Sequence, residues 1–378
     1  MKILIAPNSM KGSLDAFAFC DAIEKGLRIS GITNIEKLPL ADGGDGTAAI
    51  LANIYNAKIQ HITVCDPLER KIESGYYLTQ DSQIAIIEMA NASGLRLLKC
   101  HEYSATQSTT YGTGELINGA IEAGAKTIII GLGGSATVDG GMGALMALGV
   151  RFYGQNGEIK SGCGLMLGDV LHIDRTDALL RLKNVELILL TDVKTPLTGI
   201  NGAAKLFGPQ KGATKGDVEI LSKNLDIFAQ QLFQKTKKDV THLPGGGSAG
   251  GIAASFHALL GAKIENGAPF ILEKTNFMHK AIHSDFIITG EGKIDKTTFE
   301  GKLPGEVLKI GMKIDKPVFA ICGATTLMDE EGFEAVLPIN KLSRSEEEST
   351  EHASDLVTMI SSMLGEKLKN EYGKCNCY

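Results

Sequence analysis

No apolar run in this 378-residue chain approaches the roughly 18 residues that a membrane helix needs, which excludes a helical span. The chain opens on Met1-Lys2-Ile3 and enters a strand pattern at once, without the charged and apolar regions of a secretory signal, so a cytoplasmic protein is expected. The seven cysteines (Cys20, Cys65, Cys100, Cys163, Cys322, Cys375 and Cys377) are odd in number, widely spread and lack any CxxC pair. That pattern argues against a disulfide framework and predicts reduced thiols. The closing Cys375-Asn-Cys377 reads as a frayed terminus, with metal binding or oxidation as the alternative. Eight histidines form no HxH or HExxH pair, which argues against zinc. A GxSxG nucleophile elbow and a GxxxxGK[ST] loop are both missing. The formal charge of −6 and the scattered lysines leave no footprint for nucleic acid. What remains is a small-molecule partner.

The length favours two domains, and 43% hydrophobic content with alternating helix and strand patterns points to an α/β class. The most telling stretch is Thr127 to Gly149: an apolar strand, the loop Gly131-Leu-Gly133-Gly134-Ser135-Ala-Thr-Val-Asp139-Gly140-Gly141, then a helix from Met142. Glycines let backbone N–H groups approach an anion, and a helix N-terminus adds positive charge, so a phosphate is expected there. Asp139 is a carboxylate at that same seat. A divalent metal between Asp139 and phosphate oxygens would reconcile the two, as Mg²⁺ does at nucleotide sites.

Other loops repeat the motif. A strand over Lys37 to Ala41 leads to Asp42-Gly-Gly-Asp45-Gly-Thr47 and a helix. A strand at Val185 to Leu190 leads to Asp192, and a strand at Phe286 to Thr289 leads to a loop from Gly290 to Asp295 carrying Glu291. Another loop is expected over Cys322 to Thr325. Carboxylates after strands can hold Mg²⁺ against phosphates or take the proton of an attacking hydroxyl; taken singly, each also makes a good turn. Lys11, Lys211, Lys293 and Lys302 lie in glycine- or proline-bounded loops and would offset phosphoryl charge. Ser135 and Ser248 read as hydrogen-bond donors to phosphate or carboxylate. The GxGxx loops at Gly131 and Gly245 formally fit a dinucleotide fingerprint, but no acid follows for a ribose.

Between Lys58 and Met89 the pattern changes to adjacent or antiparallel strands, and a domain boundary is expected within it. The charged run Arg344 to Glu351 reads as a solvated linker.

Seven blocks together resemble the type I glycerate kinases: Ile5-Ala-Pro-Asn-Ser-Met-Lys-Gly-Ser13, Leu38 to Thr47, Thr109 to Ile117, Gly131 to Gly141, Thr191-Asp-Val-Lys-Thr-Pro-Leu197, Phe207-Gly-Pro-Gln-Lys-Gly-Ala213 and Ile288 to Asp295. The resemblance departs at Asn8, Met10, Asp45, Val138 and Thr297, where the family usually carries Asp, Phe, Glu, Asn and Gln. It implies ATP-dependent phosphorylation of D-glycerate, with the 2-position favoured. It also implies a flavodoxin-like, doubly wound domain built from both chain ends (1–80 plus 283–378), an inserted mixed α/β domain (81–282) and an active site in the interdomain cleft. On this reading Asp192 is the general base or a metal ligand, and Lys11, Asp42, Glu291 and Lys302 are catalytic. Gly131, Gly133, Gly134, Ser135, Gly140 and Gly141 bind ATP; Asn8, Ser9, Asp45, Lys211, Ser248 and Asp295 bind substrate; Asp139 and Asp192 bind Mg²⁺. Asn8 cannot serve as a base. A nicotinamide-dependent hydroxy-acid dehydrogenase and a non-catalytic sugar-acid-binding regulator are the alternatives.

Overall fold

A computed structural model describes residues 1–372; Cys375 and Cys377 lie outside the described residues. In chain order the strands are β1 (Ile3–Ile5), β2 (Ile35–Lys37), β3 (Lys58–Cys65), β4 (Lys71–Leu78), β5 (Ile84–Glu88), β6 (Thr127–Gly131), β7 (Arg151–Gly154), β8 (Gly157–Glu158), β9 (His172–Asp174), β10 (Glu186–Thr191), β11 (Lys263–Asn266), β12 (Phe286–Ile294), β13 (Val318–Thr325) and β14 (Ala335–Pro338). The fold is mixed α/β. Among the described residues no helix is long and apolar enough to cross a membrane.

The chain forms two compact units, one of residues 1–42 and 267–378 and the other of residues 43–266. These limits differ from the expected ones. Strands β3 and β4 pair antiparallel with each other and, through β5, extend the sheet of the second unit, so residues 43–80 go with that unit.

The first unit holds a five-stranded sheet of order β14-β13-β12-β1-β2, parallel throughout. Its core gathers Ile3, Ile5, Phe19, Ile23, Leu27, Ile288, Phe319 and Ile321. The helix Ala16–Ile29 is capped by Asp15, whose carboxylate accepts from the Ala18 N–H. It packs against the helix Ala353–Tyr372, where a Cβ on Gly26 would come within 2.2 Å of the Thr358 carbonyl.

Three local expectations are corrected here. Strand β2 ends at Lys37 instead of running to Ala41, because Pro39 has no N–H to extend the ladder, although Leu40 still donates to the Pro7 carbonyl. Strands β12 and β13 run through the loops expected at Gly290–Asp295 and Cys322–Thr325; Glu291 pairs with Cys322 and Lys293 with Ala324. Residues Glu346–Glu351 are a helix and not a linker: Ser345 caps it and three glutamates in its first turn complement the dipole.

The second unit has a mixed six-stranded sheet, β11-β10-β6-β5-β4-β3, and a small antiparallel sheet, β8-β7-β9. Strands β11, β10, β6 and β5 are parallel, so the segments after them leave from one edge. Its core centres on Ile87, Ile128, Ile130, Leu145, Leu189, Phe152, Phe228 and Phe256.

Candidate functional site

In the first unit the polar groups sit where β1 and β12 end. The chain after β1 stays alongside β12, with Asn8 N donating to the Gly290 carbonyl at 2.8 Å. Asn8 is buried; its Nδ2 donates to Asp42 Oδ2 at 2.8 Å and its Oδ1 accepts from Ser9 N at 2.8 Å. Glu291, on β12, is 7% exposed and accepts from the Thr298 hydroxyl at 2.7 Å. Burial pushes its carboxyl up to about 7; Thr298 and Lys302 oppose the rise, while Asp42 and Asp295 add to it. Asp295 caps the turn Lys296–Glu300, accepting from the Thr297 N–H and hydroxyl, which holds it below the usual carboxylate range. Thr298 links the two acids, since its oxygen also accepts from Asp295 N at 3.1 Å. The sequence places Thr298 in no motif, and the structure gives it the contact that orients Glu291.

In the second unit the glycine loop follows β6 as expected, and its anion seat is occupied from within. Asp139 is fully buried, and its Oδ2 accepts from the N–H groups of Thr110 and Gly143 and from the Thr110 hydroxyl, while Oδ1 accepts from Gly141 N. The carboxylate thus takes the donors at the start of the helix Met142–Ala147 that a phosphate would have used. Its pKa is raised by burial, against the pull of those four donors. The expected roles of Asp139 as a Mg²⁺ ligand, and of Gly140 and Gly141 as an ATP seat, compete with this internal use of the same oxygens and N–H groups. Gly140 and Gly141 both have positive φ and face Phe228 and Ile252, so packing accounts for them.

The earlier acidic loop repeats the device. Glu88, at the end of β5, accepts from Gly46 N and Ala48 N at the start of the helix Thr47–Tyr55. Sequence reasoning missed Glu88, and its signal was an acid closing the run Ile-Ala-Ile-Ile. The loops also interlock. A Cβ on Gly133 would lie 2.6 Å from Gly44 C, and one on Gly250 only 2.1 Å from Thr137 O. Gly134, at φ +70°, lies against Asp45, and Gly131 faces Thr47.

Lys211 is also inside: it is buried, and its Nζ donates to Ser135 Oγ and to Thr137 O, each at 2.7 Å. Burial pushes its ammonium down to about 7, and Asp139 partly restores it. It holds the loop through these two bonds, which compete with its expected contact with substrate. Ser248 is likewise buried and shares a 2.6 Å hydrogen bond with Thr191, the residue before exposed Asp192. Lys11 is exposed and Lys302 half-buried. Among the described residues no three His, Cys, Asp or Glu side chains gather into a metal-holding group. The donor set at Asp139 does not fit Mg²⁺, because its oxygens are already engaged.

A family model described as the glycerate kinase family matches residues 3–369. The glycerate kinase of Halalkalibacterium halodurans is 40% identical over 335 residues, covering 88% of this chain and 87% of that protein. The glycerate 2-kinase of Escherichia coli is 39% identical, with 90% of each chain covered. A crystal structure of a candidate glycerate kinase 2 from Salmonella typhimurium LT2 is similar with a TM-score of 0.82 and 38% identity, over 98% of both chains. The dehydrogenase and regulator alternatives fall away, because the match extends over nearly the whole chain: it belongs to the glycerate kinase family and is a kinase.

Proposed function

We propose that the protein transfers the γ-phosphoryl group of ATP to the 2-hydroxyl of D-glycerate, giving 2-phosphoglycerate and ADP. The family supports the nucleotide and the acid; the choice of hydroxyl rests on the Escherichia coli relative, which is named a glycerate 2-kinase. The observation that carries the chemistry is Glu291, a buried carboxyl raised to about 7 and held by Thr298. Such a group accepts a proton near neutral pH. As the alcohol oxygen bonds to the γ-phosphorus its proton passes to Glu291, the bond to the bridging oxygen breaks, and ADP leaves with that electron pair. Lys11 and Lys302 spread the transferred charge. Asn8, Ser9 and Asp42 position the substrate hydroxyls.

In the second unit, Ser135 accepts from Lys211 and so keeps its own proton to donate to a ligand oxygen. Mg²⁺ at nucleotide sites is held by one or two carboxylates plus phosphates. Asp192, exposed beyond β10, is the acid proposed to meet it. We read the first unit as flavodoxin-like on its order, which is 2-1-3-4-5 when its own strands are counted.

The test is ³¹P NMR with MgATP and D-glycerate, with authentic 2- and 3-phosphoglycerate added afterwards. A new monoester peak co-resonating with 2-phosphoglycerate is expected. Co-resonance with the 3-isomer overturns the choice of hydroxyl, and unchanged ATP over folded protein overturns the activity.

A further inference from the structure

We propose that a cavity of about 660 Å³ in the first unit is a binding subsite for a phosphate-bearing polyanion, with Lys293 and Arg344 as its anchoring cations. The proposal rests on the function above only for the identity of the occupant. The volume lies within the range of small-molecule pockets and far exceeds what a three-carbon acid needs.

Position is the first argument. Half of the lining comes from the segment after β1 and from β12 and β13, including Lys11, Gly292 and Gly323, at the carboxyl end of adjacent parallel strands, and the other half from residues 340–350, which carry Arg344. Strand β1 has β2 on one side and β12 on the other, so the chain order reverses there, and open α/β sheets take ligands at that reversal.

Charge is the second argument. Lys11, Lys293 and Arg344 line the cavity against one carboxylate, Glu346, on a chain whose formal charge is −6. Lys293 has a 3.6 Å ion pair with Asp295. Three cations from three segments suit an anion of more than one charge, and a guanidinium adds a planar fork that matches phosphate oxygens. No aromatic residue is among the described residues of the lining, which instead supplies hydroxyls such as Ser13, so a phosphate chain fits better than a nucleobase.

The wall is the third argument. A Cβ on Gly323 would come within 2.5 Å of the Gly292 carbonyl, so these strands approach only as glycines. Backbone therefore forms part of the lining, and a ligand can come close to it.

Two sources share this chemistry: the polyphosphate of the nucleotide and the phosphate of the product. Titration calorimetry of the full chain with tripolyphosphate is the test, comparing wild type with the double variant Lys293→Ala/Arg344→Ala. Binding by the wild type and a loss of about tenfold or more in the variant are expected. Displacement by ATP would identify the nucleotide as occupant, and displacement by 2-phosphoglycerate would identify the product. No binding by the wild type, or equal binding by a folded double variant, would overturn the subsite. Glycerate turnover is read separately: a wild type that phosphorylates glycerate while the variant binds tripolyphosphate equally well loses the subsite and keeps the function. Tripolyphosphate binding that the variant loses, without glycerate turnover, supports the subsite and removes the function.

Discussion

Lys211 Nζ reaches Ser135 Oγ at 2.7 Å across 76 positions of sequence, and the same nitrogen donates to the Thr137 carbonyl. A buried ammonium thereby holds a glycine loop whose helix end is filled by a buried carboxylate, Asp139. The loop is fixed by the protein's own charges, and a ligand meets it already formed.

Burying Lys211 moves its proton affinity from the ordinary 10.5 down to about 7, with desolvation as the cause. Below about 7 both folded and unfolded states carry the charge, and its burial costs stability in full. Between about 7 and 10.5 the unfolded chain binds more protons, so stability rises with pH. Lys211→Met removes the titration. Wild type should gain on the variant by on the order of 1–3 kcal/mol between pH 7 and pH 10. Parallel pH profiles in denaturant unfolding would contradict the assignment.

Asp139→Asn separates a loop anchor from a metal ligand. The amide can accept at one atom only, and its NH₂ would face N–H groups that now donate to a carboxylate. Buried donors left without an acceptor cost about 1–3 kcal/mol, so the melting temperature should fall in EDTA buffer with no metal present. A variant as stable as wild type in EDTA, with a raised Mg²⁺ requirement in the assay, would restore the metal reading.

The α/β class, the antiparallel strands between Lys58 and Met89, the glycine loop after β6 and the family were legible in the sequence, because period, loop chemistry and motif order are local properties. Two things were not. Glu88 and Lys211 owe their roles to partners far away in sequence, and Asp139 is held by distant Thr110 as well as by nearby Gly141 and Gly143, so nothing near Lys211 in Phe207-Gly-Pro-Gln-Lys-Gly shows that it lies inside. Glu291 was expected in a loop because glycines flank it, yet those glycines allow β12 and β13 to remain paired past Gly290, where a Cβ would meet Ile321 O at 2.1 Å.

Asn8→Asp should set two carboxylates against each other, because Asn8 Nδ2 now donates to Asp42 Oδ2. Two acids at that distance share a proton, and one pKa rises. The folded variant then binds a proton that the unfolded chain does not, so its stability should fall as pH rises from about 5 to 8, by about 1–3 kcal/mol relative to wild type. Chemical denaturation at several pH values measures this; a constant difference would show that the two side chains do not share a proton.

Glu291→Gln tests the proposed base directly. Gln keeps the shape and can still accept from the Thr298 hydroxyl at its carbonyl oxygen, so substrate binding should change little. Turnover should fall by about 10²–10⁴. Because burial raises Glu291 to about 7, the wild-type rate should climb as pH passes through that value and the carboxylate appears, provided chemistry limits turnover. The variant has no such group, so its residual rate should lose that rising limb. If Glu291 only braces the turn at Thr298, the variant keeps the limb near 7 with a lower plateau, and the proton acceptor is another residue, with Asp192 the first to test.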